Sequence, residues 1–160
     1  MKKQTVIHRR MTGVSIVEVL VALVIISVGM LGIAGLYLSS LQAGRSANLR
    51  VQALNLASDL ADRIRSNREG LENYEAAADD TGTEHDECAT DRCTPADIAE
   101  NDLFVWKQAI AEALPAGANG TVEFTDNADP TPDRYQIRVT WREAGSDADS
   151  TFSMSVESKR

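Results

Sequence analysis

The sequence predicts an α+β protein: one long N-terminal helix, membrane-spanning in its first half and packed by its second half against a small antiparallel sheet. Three observations carry this prediction. Residues 19–38 are twenty consecutive uncharged residues, enough for a helix of roughly 30 Å that crosses a bilayer. Beyond them Leu49, Ala53, Leu56, Leu60 and Ile64 recur at steps of three and four, an apolar stripe of helical period. Towards the C-terminus Tyr135, Ile137, Val139 and Trp141 alternate with polar residues, the period of a half-buried strand.

The long helix is expected over residues 14–69, on the order of 80 Å. Lys2, Lys3, Arg9 and Arg10 precede the apolar span and place the N-terminus in the cytoplasm, while Arg45 and Arg50 beyond it make the asymmetry moderate. A secretory signal would lose its apolar stretch at a small-residue site. Here Gly13 lies ahead of that stretch and no A-x-A pattern follows Leu41, so the segment is expected to be kept. In the second half, Asp59 and Arg63 are spaced for an i, i+4 pair, and Gly70 serves as a C′ residue. Gly29, Gly32 and Gly35 weaken the middle, each by roughly 1 kcal/mol against Ala in water, and bending or local melting is expected near Gly35.

Residues 69–102 hold twelve acidic residues and one basic one, Arg92, and read as a solvated, irregular stretch. Thr94, Pro95, Ala96 and Asp97 then form a helix start, with Pro in the first turn. Leu103, Trp106, Ile110 and Leu114 share one face of that helix, which Pro115 and Gly117 end. Val122 and Phe124 mark a first strand, residues 135–141 a second, and Phe152, Met154 and Val156 a third. Residues 145–150 suit a hairpin loop.

At 160 residues the chain fits one domain. Its net charge is −8, and removing residues 1–13 takes four of the 16 basic residues and none of the 24 acidic ones, leaving −12. So acidic a chain is a poor binder of nucleic acid through phosphate neutralisation. Two cysteines, Cys88 and Cys93, and two histidines, His8 and His85, leave little for a Cys- or His-based active site. The sequence has no nucleophile elbow, phosphate loop or His-carboxylate zinc motif. No enzyme and no cofactor is expected.

The sharpest motif is Gly13, Val14, Ser15, Ile16, Val17, Glu18, followed by the apolar run from Val19. It resembles the type IV prepilin motif, in which a prepilin peptidase cuts after glycine and leaves a new amine five residues before a glutamate. The resemblance implies a cleaved leader over residues 1–13, Val14 as the N-methylated mature N-terminus, and Glu18 as the assembly residue. The family usually has Phe where this chain has Val14. Glu18 has a physical rationale of its own. A lone carboxylate at membrane depth costs about 2.5 kcal/mol or more, and the Val14 amine of a neighbouring subunit would offset that cost in a helical bundle. An intrachain contact with the same amine is the rival partner.

In the head, Asp102, Leu103 and Trp106, then Leu114, Pro115 and Gly117, then the strand from Tyr135 to Trp141, are similar to the PilV-type minor pilins of type IV pili. That likeness implies a pilin-like fold with residues 14–41 as the transmembrane and assembly half of the helix and 42–160 as a periplasmic head. It also implies a subunit of the bacterial inner membrane and then of the pilus fibre, at its tip. Such a subunit takes part in initiating pilus assembly and supports piliation, twitching motility and attachment. The partners implied are the prepilin peptidase, other minor pilins, the major pilin and inner-membrane lipid. A minor pseudopilin of a type II secretion system is the alternative within the superfamily. A tip-borne module binding DNA or another ligand is the alternative of a different class.

Three further clusters have competing readings. Cys88 and Cys93 would close a six-residue loop by a disulfide in an oxidising compartment, whereas His85 with them raises a zinc site whose fourth ligand would have to come from a carboxylate. Asp126, Asn127, Asp129 and Asp133 offer oxygen ligands but lack the Gly and Glu of an EF-hand, so a solvated acidic loop is preferred over calcium. Arg134, Arg138 and Arg142 form a row on the face opposite the strand's aromatics, and a soluble strand face is preferred over DNA binding.

Overall fold

The computed structural model describes residues 13–90, 93–127 and 131–158. Lys2, Lys3, His8, Arg9, Arg10, Arg92 and Asp129, which entered the sequence reading, lie outside the described residues. The element order is α1 (Ile16–Ser66), a 3₁₀ segment (Arg68–Asn73), a second 3₁₀ segment (Asp86–Thr90), α2 (Pro95–Ala113), β1 (Asn119–Thr125), β2 (Asp133–Arg142) and β3 (Asp149–Ser158). The chain divides into two compact units, residues 1–44 and residues 45–160, and α1 contributes to both.

In the first unit the described residues are almost wholly helical and expose their apolar side chains; Leu36 is 73% exposed. Here α1 is long and apolar enough to cross a membrane. The helix runs unbroken through Gly29, Gly32 and Gly35, so the melting expected near Gly35 does not occur. A glycine in a helix costs backbone entropy, yet long uninterrupted hydrogen bonding on both sides tolerates it. The helix begins two residues later than expected and ends at Ser66 instead of residue 69.

The second unit is built around one core. From α1 come Ala53, Ala57, Leu60, Ala61 and Ile64, with Leu49 and Leu56 packed at the margin. From α2 and its C-cap come Ala99, Leu103, Trp106, Ile110 and Leu114, and from the sheet Val122, Tyr135, Ile137, Val139, Trp141 and Val156. The sheet is antiparallel in the order β1-β2-β3. Its inward face holds the residues expected from the alternation, with Phe152, Met154 and Phe124 only partly buried. Hydrophobic burial against α1 and α2 is what holds this small sheet, since three strands alone are marginal. Gly120 shows how tightly α2 rides on β1: a Cβ there would meet the side chains of Trp106 and Ile110.

α2 starts where the sequence placed it. The Thr94 hydroxyl accepts from the Asp97 amide at 3.2 Å and the Asp97 carboxylate from the Thr94 amide at 3.0 Å, a reciprocal capping box with Pro95 at the first turn. The preceding acidic stretch is more ordered than expected. Leu71, Tyr74 and Ala76 are buried, two 3₁₀ segments form, and Ala76 makes an isolated antiparallel bridge to Val122. Gly70 is not a helix C′ residue. It sits buried inside the first 3₁₀ segment, where a Cβ would run into the Pro95 carbonyl.

Candidate assembly site and the fastening of the head

Gly13, Val14 and Ser15 precede α1 without helical structure and are exposed. Among the described residues a Cβ at Gly13 would meet nothing, and its φ is not in the left-handed region. The fold itself therefore gives no reason for glycine there, which leaves an external one. The Ser15 carbonyl accepts from the amides of Glu18 and Val19 at 3.0 and 3.2 Å, so Ser15 opens the helix. Glu18 thus lies in the first turn, where the helix dipole favours a carboxylate. Its side chain is exposed, and among the described residues nothing pairs with it. The sequence-predicted trio of Gly13, Val14 and Glu18 is accordingly brought together at one helix end, surrounded by the exposed apolar side chains of Val14, Ile16 and Val17.

Among its described residues the head supplies no second constellation of that kind. Cys88 and Cys93 form a disulfide with their Cα atoms 4.9 Å apart, so no thiolate remains for zinc. His85 instead fastens the disulfide loop to α2. Its Nε2 lies 3.0 Å from Glu100 and its Nδ1 3.5 Å from Glu87, while its amide donates to the Asn101 side chain at 3.1 Å. The bond to Glu100 leads in holding the His85 pKa above its ordinary value, against some desolvation and with help from Glu87. In the acidic loop, Asp133 is buried and accepts from the Asn127 amide at 3.0 Å, and the Asn127 side chain donates to the Pro132 carbonyl at 2.8 Å. That carboxylate closes the loop onto itself.

The arginine row is present and paired. Arg134 meets Glu157 at 3.4 Å, Arg138 meets Glu123 at 3.0 Å and Arg142 meets Asp149 at 2.7 Å. Each cation already has a carboxylate from a neighbouring strand, so the row presents little free positive charge to a phosphate backbone.

One feature escaped sequence reasoning altogether. Asp102, almost buried, accepts from Arg63 at 2.9 Å and from the Tyr74 hydroxyl at 2.6 Å. Arg63 also makes the expected bond to Asp59 at 2.9 Å. Asn67 donates to the Pro95 carbonyl at 2.7 Å and to the Tyr74 oxygen at 3.3 Å. Burial first, and then the bond to Asp102, push the Tyr74 phenol up, so it stays neutral and donates. The Trp106 indole donates to the Leu56 carbonyl at 3.0 Å, and the Tyr135 hydroxyl to the Leu71 carbonyl at 2.8 Å. Buried aromatics with a polar tip thus tie α2 to α1 and to Tyr74, and β2 to the first 3₁₀ segment.

Comparison with known proteins adds two findings. Residues 8–34 match the prokaryotic N-terminal methylation motif, and residues 35–104 match the Tt1218-like family of type IV pilins. No curated protein and no solved structure matches the chain. The methylation motif implies processing by a prepilin peptidase and assembly into a pilus with other pilins, and together with the apolar helix it fits a membrane-anchored subunit. The two matches adjoin at residue 34, and with the long helix packed on a three-stranded antiparallel sheet they support a type IV pilin.

Proposed function

We propose that this pilin is a minor pilin of the PilV type, which helps to initiate pilus assembly and stays at the tip, supporting piliation, twitching motility and attachment. In this reading the peptidase cuts between Gly13 and Val14, and Val14 is then N-methylated. Residues 14–41 anchor the subunit in the inner membrane, and residues 42–160 form the periplasmic head. The observation that supports it best is Glu18: an exposed carboxylate, unpaired among the described residues, in the first turn of an apolar helix, four residues from the amine that cleavage would create. In lipid that charge is costly alone, and a neighbour's ammonium is the partner that offsets the cost. Membrane burial thereby penalises the single subunit and favours the assembled one.

The test is a paired measurement on Glu18→Ala. The processed subunit should reach the membrane at its normal level, because the change removes a charge that is expensive there. Its crosslinking to other pilins and the number of pili should fall. Wild-type crosslinking and piliation would remove the assembly role, and disappearance of the subunit from the membrane would assign Glu18 to stability instead.

A further inference from the structure

The charges that follow the apolar span are both arginines. Residues 19–44 carry no charge, and Arg45 and Arg50 come next. At the helical rise the uncharged stretch measures roughly 39 Å. A bilayer is about 30 Å thick in its hydrocarbon and about 40–45 Å with both headgroup layers. A helix that enters the membrane near Glu18 therefore brings Arg45 out among the headgroups of the far leaflet. Helical side chains lean towards the N-terminus of their helix, so both arginines lean back towards the bilayer.

These two arginines also lack an acidic partner. Eight arginines of the head are described. Arg63, Arg65, Arg134, Arg138 and Arg142 each bond to a carboxylate. Arg45, Arg50 and Arg68 pair with none among the described residues, in a chain that holds 24 acidic ones. One carboxylate even reaches the residue next to Arg45. Glu143 accepts from the Ser46 hydroxyl at 2.9 Å and from Ser150 at 3.2 Å, yet makes no bond to the arginine. Arg45 is half-buried and Arg50 is exposed.

Cations on the outer side of a span run against the usual bias. Cleavage after Gly13 would sharpen the anomaly, because Lys2, Lys3, Arg9 and Arg10 would go and Arg45 and Arg50 would become the first basic side chains. An anion at the outer surface accounts for them. Phosphate suits the planar guanidinium fork, and headgroups lie at the right level. A neighbouring pilin could offer a carboxylate instead, but only after assembly, whereas headgroups surround the subunit throughout its time in the membrane.

We infer that Arg45 and Arg50 bind the phosphates of anionic lipids in the periplasmic leaflet and hold the head of the waiting subunit against it. A subunit leaving for the filament gives up both contacts, so an anionic leaflet retains it more strongly than a zwitterionic one. This rests on the reading of residues 14–41 as a membrane anchor with the head outside the cytoplasm.

The experiment uses the mature chain, residues 14–160, in phosphatidylcholine nanodiscs with a trace of lipid spin-labelled high on the acyl chain. The label is carried by phosphatidylglycerol in one sample and by phosphatidylcholine in the other. Paramagnetic relaxation of backbone amides is read by NMR. At residues 45–50 the phosphatidylglycerol label should act about fivefold more strongly, the enrichment expected from one arginine at an anionic surface. Arg45→Gln with Arg50→Gln should make the two labels equal, and Arg45→Lys with Arg50→Lys should keep the preference. Arg68→Gln should change nothing. In 1 M salt, where the Debye length is about 3 Å, the preference should shrink. Equal relaxation from the two labels in wild type, or a preference that survives the double glutamine variant, would overturn the proposal. So would equal relaxation together with an Arg45-dependent dimer in sedimentation, since the anion would then be a neighbour's carboxylate. Relaxation across residues 19–38 checks the anchor separately. If neither label reaches those residues, the anchor reading fails and the proposal falls with it; if both do and residues 45–50 show no preference, the proposal alone falls.

Discussion

The two units use the same residue types to opposite ends. Residues 14–44 hold Val, Ile and Leu exposed along one helix, whereas residues 45–160 gather most of theirs into a core among α1, α2 and the sheet, with Val51, Leu54, Ile98 and Val105 left exposed. Ile25 is 66% exposed and Ile64 is fully buried, although they belong to one helix. Apolar surface stabilises a fold only where the chain itself removes it from water. The first unit leaves its apolar surface uncovered by the chain, as suits a membrane-anchored helix, and the second gathers most of its own into the core.

The widest gap between the two follows directly. Ile64→Ala should lower the stability of the head by about 4 kcal/mol through lost burial and a residual cavity. Ile25→Ala, in the same helix, should leave head unfolding unchanged. Urea denaturation of the mature protein in micelles, followed by Trp fluorescence, measures both. A comparable loss from Ile25→Ala would mean that the units are not energetically separate.

Asp102→Ala comes next, at about 2.5 kcal/mol, because it leaves the buried Tyr74 hydroxyl without its main acceptor and Arg63 with one carboxylate. Asp59→Ala, on the exposed side of the same arginine, should cost no more than about 0.5 kcal/mol. The same denaturation assay distinguishes them.

Reducing the Cys88–Cys93 bond should cost about 2 kcal/mol, the value for so short a loop. Hydrogen exchange should quicken around residues 85–94 while the core positions of β2 keep their protection.

The smallest effect depends on pH. The folded-state pKa of His85 lies above its ordinary value near 6.5, chiefly through Glu100. Its contribution to stability is therefore complete below about pH 6.5 and fades as pH rises through the raised value. Once the leader is gone, His85 is the sole histidine, so its imidazole signals can be followed by NMR. Glu100→Gln should bring the midpoint down towards 6.5, and an unmoved midpoint would detach Glu100 from His85.

Much of the head was legible in the sequence because it is periodic. The alternation of Tyr135, Ile137, Val139 and Trp141, the shared face of Leu103, Trp106, Ile110 and Leu114, and the cap at Thr94 all depend on neighbours within a few residues. What escaped has no local signature. Leu71, Tyr74 and Ala76 fit neither a helical nor a strand period, because contacts with α2 and β1 place them. Ala57 and Ala61 deepen the α1 stripe, but alanine is too weakly apolar to announce itself. Asp102 stood in the head pattern, but its pairing gave no local sign, because its partner Arg63 is 39 residues away. Gly70 imitated a helix stop, while its real constraint is the approach of Pro95. At the membrane end, the sequence motif placed Gly13, Val14 and Glu18 together, and their exposure could only come from coordinates.

The bonds from Trp106 to Leu56 and from Asp102 to Arg63 have a mechanical consequence. One contact between two rods leaves a pivot, whereas two contacts fix both their angle and their offset. Leu56 and Arg63 stand seven residues apart on α1, and Trp106 and Asp102 four apart on α2 in the reverse sense. Sliding α2 by a single residue would pull both pairs out of register at once. A load entering the head along α1 therefore meets α2 as a rigid brace, and yielding must come by rupture, not by creep.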